Sequence, residues 1–326
     1  MSAKRSLFAG PESAVVDDYR SKFANWDRRA SVRVKPRRVL GRVPDEQVYF
    51  PPELVPVVSH PIVRAGEPGL VRHLLVQRLY QYLHFTTELE SVAVLPVTLS
   101  LSRGQDDLRL TAAMREDAFK ITTDEAWHAQ FSYDLMAQVA AETAVPLHLT
   151  EPSFVRRLDV IREAMEAELR GVQSLAFCIV SETLISAILA DLPQDRRLPE
   201  AVREMVRDHS EDEGKHHAYF RSVLKYFWHS LSPRQRSRLG PWLPELVVTF
   251  LEPDYGAIRD SLLTAGLTGT EAETVLAESY PGDSVRASVA EASRTTIRYF
   301  AEVGALDEPA TREAFHAAGL TAGLAL

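Results

Sequence analysis

The chain has 326 residues, 45% hydrophobic and 25% charged, and a formal net charge of −8. That is ordinary globular composition with enough apolar material for a sizeable core, and the acidic balance points away from a nucleic-acid partner. No apolar run approaches the roughly eighteen residues of a membrane span, the first residues offer no apolar stretch long enough to lead one to expect a secretory signal, and a single cysteine, Cys178, excludes an intrachain disulfide framework or thiolate zinc site. A cytoplasmic, reducing setting is the expectation.

Residues 1–65 are rich in proline and arginine and read as an irregular, wrapping N-terminal arm. Its basic stretch, Arg28 to Arg42, reads as solvated. Helical periodicity starts after Pro68, and residues 66–235 form the expected core unit. A first helix is expected from about Gly69 to Val94, stopped near Pro96, and a second from about Asp106 to Thr143. A third runs from Pro152-Ser153 to about Leu192, with Gly171 as a kink or joint. The fourth begins at Pro199, a favourable first-turn proline, and ends near Leu231. Residues 236–326 carry shorter amphipathic patterns, expected as C-terminal helices packed on the bundle. The best strand signal, Val92–Leu101, is weakened by its proline. The class is all-α.

Chemistry enters through polar residues standing where apolar ones belong. On the fourth helix, Val202, Met205, Val206, His209, Glu213, His216, Phe220, Val223 and Phe227 share one face. A buried carboxylate needs a partner. The third helix repeats the anomaly with Glu182 in the stripe Leu175, Cys178, Ile179, Ile185, Leu189. On the second, Glu125 and His128 form a Glu-x-x-His pair near Phe119, Trp127 and Leu135; on the first, Glu88 follows Leu74, Gln81 and His84. The order Glu, Glu-x-x-His, Glu, Glu-x-x-His is the ligand plan of a ferritin-like dimetal four-helix bundle, here with additional N- and C-terminal helices. Two cations close together need bridging carboxylates, and carboxylate with imidazole suits iron or manganese. A third Glu-x-x-His, Glu313 to His316, has no such stripe upstream and reads as structural.

The motifs TTE (86–88), DEAWH (124–128), SET (181–183) and DHSEDEGKHHAYF (208–220) together resemble the bacterial p-aminobenzoate N-oxygenase family of diiron enzymes. The added His209 is the most specific element. The resemblance implies two irons (manganese as a possible substitute) held by Glu88, Glu125, His128, Glu182, His209, Glu213 and His216. It also implies a homodimer that uses O2 and external electrons to convert an amine, aryl or heteroaryl, to hydroxylamine, nitroso or nitro product in secondary metabolism. Where the family has an Arg shortly before its first ligand Glu, this sequence has Leu83. His209 would add a neutral donor that favours attack on nitrogen over unactivated C–H bonds. The absence of a Gly-rich dinucleotide fingerprint implies that electrons come from a separate protein. The competing readings are a dimetal hydroxylase or desaturase acting on carbon, and a non-catalytic metal-handling or interaction module.

Overall fold

The computed structural model describes residues 19–105, 108–189 and 192–321, without the side chains of 186–189. The first eighteen residues of the expected arm, the expected helix start at Asp106 and the Leu189 side chain lie outside the described residues. Those described are helical with no strand, and they build the all-α, ferritin-like bundle.

The arm contributes three one-turn helices, α1 (Trp26–Arg29), α2 (Ser31–Val34) and α3 (Pro61–Arg64). The first bundle helix, α4 (Leu70–Glu88), passes through a π-helical turn at Leu89–Val94 into α5 (Leu95–Arg103). Then come α6 (Ala112–Thr143), α7 (Ser153–Ala164), α8 (Arg170–Leu189) and α9 (Glu200–Ser230). The C-terminal part holds α10 (Pro233–Leu239), α11 (Leu243–Leu251), α12 (Tyr255–Thr264), α13 (Gly269–Ser279), α14 (Gly282–Glu302) and α15 (Pro309–Ala317). The bundle pairs α4 with α6 and α8 with α9, and α6 also meets α9.

Three expectations change. Pro96 does not stop the first helix, and Val92–Leu101 is helical rather than a strand. The π turn explains both. The Leu95 N–H reaches the Glu90 carbonyl, five residues back. That wider turn eases the clash a proline ring makes with the preceding turn, and Pro96 needs no donor of its own. Helix α6 is unbroken at Thr122 and Thr123, whose hydroxyls donate to the Ala118 and Phe119 carbonyls one turn back. The third segment is two helices, and its joint falls at 165–169, just ahead of Gly171.

Helix α8 is apolar on every side, so every side must be covered. Helix α9 takes one face, while α11 and α14 take others. On α14, Thr296 donates 3.1 Å to the Thr183 carbonyl, beside the ligand candidate Glu182. The basic arm is not merely solvated: Arg37 pairs with Asp134 on α6, and Lys35 and Arg38 both reach Asp208 on α9. Charge complementarity straps it across these two helices, which positions Trp26 and Ser31 for the site below.

Candidate metal centre

Glu125 and His128 on α6, Glu182 on α8, and His209, Glu213 and His216 on α9 all converge in the bundle interior, each at most 1% exposed. Spacings of three and four put them on one face of each helix. Glu88 does not join them. Its side chain is 32% exposed and its nearest basic partner is His84, 4.0 Å away. The fourth wall is filled by Glu90, 1% exposed, from within the π turn. The buried stripe of α4 runs Leu79, Leu83, Thr86 and continues to Glu90, whereas Gln81, His84 and Glu88 follow a half-exposed edge.

Around the centre, the Nδ1 of His128 lies 2.9 Å from Glu125 and 3.3 Å from Glu213. His216 Nδ1 lies 2.8 Å from Glu125, 3.3 Å from Glu213 and 3.9 Å from Glu182. His209 Nε2 is 3.1 Å from Glu213 and 3.8 Å from Glu90. The donor atoms fall into overlapping sets, Glu90–His128–His209–Glu213, Glu125–His128–Glu213–His216 and Glu90–Glu125–Glu182, each within 4.8 Å of one another. Glu90, Glu125 and Glu213 each belong to two sets, as carboxylates shared between two cations would.

The donors fit a metal centre. One oxygen each of Glu90, Glu125, Glu182 and Glu213, together with His216 Nδ1, is buried without a hydrogen-bond partner. Orphaned buried polar atoms are rare in folded proteins, and these gather at one point. Burial and then mutual carboxylate repulsion push Glu90 and Glu182 well above the usual carboxylate range. Such a group of acids is unfavourable unless cations neutralise it.

The p-aminobenzoate N-oxygenase AurF family model matches residues 26–304. The chain belongs to that family. A 4-aminobenzoate N-oxygenase of Streptomyces thioluteus is 26% identical over 256 residues, covering 76% of this chain and 75% of that protein.

In this family member the imidazoles are held from behind in a crossed arrangement. Asp124 on α6 stands 3.3 Å from His216 Nε2 on α9, and Asp212 on α9 stands 3.4 Å from His128 Nε2 on α6. Both aspartates are fully buried. The arm supplies what keeps them buried: the Trp26 indole N–H donates 2.9 Å to Asp124, and the Ser31 backbone N–H donates 3.0 Å to Asp212. Phe23 stacks on His216 at 6.0 Å, and Phe131 packs 5.3 Å from His128 and 5.7 Å from His209. Replacing Asp124 or Asp212 by Ala should weaken metal binding by ~10–100-fold, the usual cost of losing such a carboxylate partner. Chelator competition on each variant measures it.

The lone cysteine and the other histidines and aromatics sort themselves. Cys178 is buried one turn before Glu182, where burial first and then the site carboxylates push its thiol up and keep it neutral. His217 points elsewhere, 2.9 Å from the Tyr299 hydroxyl. Glu313 and His316 are exposed, as a structural Glu-x-x-His should be. Tyr80 donates to the Val145 carbonyl and Leu83 is fully buried core. Tyr82, His84 and Phe85 line a cavity of about 290 Å³ alongside α4, with Phe154 and Phe250 opposite. No helix among the described residues is long and apolar enough to cross a membrane.

Proposed function

We propose that the protein is a non-heme diiron N-oxygenase that uses O2 to oxidise the nitrogen of an aryl or heteroaryl amine. The product would be a hydroxylamine, nitroso or nitro compound of bacterial secondary metabolism. The observation that carries this is the convergence of seven buried donors from four helical elements, in a chain of the p-aminobenzoate N-oxygenase family. The proposed ligands are Glu90, Glu125, His128, Glu182, His209, Glu213 and His216, with Glu90 in the role first expected of Glu88. Oxygen and nitrogen donors of this kind favour iron, with manganese as a substitute. When bound, the irons supply the activation of O2 that no amino-acid side chain provides.

The chain's own residues do the rest. Four carboxylates would balance the charge of the cations, and His209 would add a neutral third imidazole donor. Asp124 and Asp212 fix the orientation of His216 and His128 through their Nε2 atoms. Phe23 and Phe131 cover the imidazoles and keep water from them. The cavity beside Tyr82 and Phe85 has the aromatic walls an arylamine needs. Electrons would come from a separate donor protein, since the sequence has no dinucleotide fingerprint. The cytoplasmic setting follows from the single cysteine, and the homodimer from the family resemblance.

Mass spectrometry decides between nitrogen and carbon as the target. Iron-reconstituted protein with reductant, ¹⁸O₂ and a panel of arylamines should place labelled oxygen on nitrogen. Label on carbon would favour a hydroxylase, and no label on any amine contradicts the proposal.

A further inference from the structure

The cavity beside α4 holds a cation with no directly paired counterion among the described residues. Arg78 lines it, three turns before the metal centre, and among the described residues makes no hydrogen bond and no ion pair. Its guanidinium lies only over the Phe50 ring, 5.1 Å from the centroid. The acidic groups of the cavity wall are already committed. Asp254 accepts from the Ser153 N–H at 2.7 Å and the Ala257 N–H at 2.9 Å, capping α12. Glu252 pairs with Arg157. Burial disfavours the Arg78 charge, with Tyr280, Tyr82 and Asp254 offsetting part of the cost. A guanidinium is the side chain best shaped to take a carboxylate with two parallel hydrogen bonds.

Position adds a length. Arg78 and Glu90 are twelve residues apart on one helical run, roughly 18 Å at 1.5 Å per residue. Long helical side chains also lean toward the N-terminus, here away from the metals. Between the two stands Tyr82, whose buried hydroxyl has no partner and which feels the charges of Arg78, Glu213 and Glu90. Phe85 continues the wall, 5.2 Å from Phe154 and 5.7 Å from Phe250. A one-ring aminobenzoate falls well short of joining the two ends.

We propose that Arg78 anchors a carboxylate at the far end of this cavity, and that the substrate is an elongated arylamine with its acid group remote from the amine. The amine end rests on the N-oxygenase reading; the anion site does not. The test is calorimetric titration of the iron-loaded protein with 4-aminobenzoate, 4-aminobenzoylglycine and 4-aminobenzoylglycylglycine, each beside its terminal amide. The extended acids should bind at least about tenfold tighter than their amides and tighter than 4-aminobenzoate. In Arg78→Met that acid-over-amide gap should vanish while the amides bind as before, and Arg78→Lys should restore part of it. Thermal unfolding of both variants checks that they fold. Equal or absent binding of acid and amide in the wild type, or a gap that survives in either folded neutral variant (Arg78→Met or Arg78→Gln), overturns the anchor. If 4-aminobenzoate binds as tightly as the extended acids, the elongated substrate is refuted. Acid-selective binding without oxygen transfer to nitrogen would refute the proposed reaction and leave the Arg78 site standing.

Discussion

Glu90→Ala should bind no more than one iron tightly per chain and lose more than the ~10–100-fold typical of an outer-shell carboxylate, whereas Glu88→Ala should keep both irons and its rate. The two glutamates are two residues apart in TELE, yet their surroundings differ. Glu90 is 1% exposed, lies 3.8 Å from His209 and belongs to two of the three donor sets. Removing it would take away one of the four charges proposed to balance the metals, and one proposed donor. Glu88 sits on the half-exposed edge of α4 with its side chain 32% exposed. Truncation there should change stability by only about 0.5 kcal/mol, as at other surface positions. Colorimetric iron content and initial rates on both variants give the comparison. Iron loss in Glu88→Ala with full retention in Glu90→Ala would mean that the π turn does not set the register described.

Removing the metals should lower the melting temperature by on the order of 10 °C. A site filled at about a thousand times its dissociation constant contributes ~4 kcal/mol. One kcal/mol moves the midpoint of a domain of roughly this size by about 2–4 °C. Protons make a partial substitute, which keeps the effect from being larger. Burial opposes charging His128, but hydrogen bonds with Asp212, Glu125 and Glu213 outweigh it and raise its pKa. His216 is likewise raised, against burial, by Glu125 and Glu213. Scanning calorimetry before and after chelation measures the difference. An unchanged midpoint would mean that the buried acids are satisfied without cations.

Six of the seven side chains that converge were legible in the sequence because each interrupts a regular apolar stripe on a regular helix. Glu182 among Leu175, Cys178, Ile179 and Ile185 is the plainest case. For the seventh, residue spacing pointed to Glu88 while the structure brings Glu90 to the cluster, because the first helix is not regular. Apolar and polar residues are spread all around it, so Leu74, Gln81, His84, Glu88 looked as consistent as Leu79, Leu83, Thr86, Glu90. The π turn ahead of Pro96 is a backbone rearrangement that residue spacing does not announce. Buried Thr86 was the available signal, since it continues the stripe of Leu79 and Leu83. Asp124 and Asp212 were out of reach for a different reason. Each follows from pairing across helices and from an arm more than ninety residues distant, and neither leaves a mark in local periodicity. Arg78 was invisible because an unpaired cation is recognised only once its neighbours are known.

Anomalous diffraction from crystals of the iron-loaded protein, recorded on both sides of the iron edge, bears most directly on the centre. Two peaks about 3.5–4 Å apart should appear among Glu90, Glu125, His128, Glu182, His209, Glu213 and His216, with Asp124 and Asp212 behind the rings. A single peak, or iron bound away from these side chains, would contradict the dinuclear site.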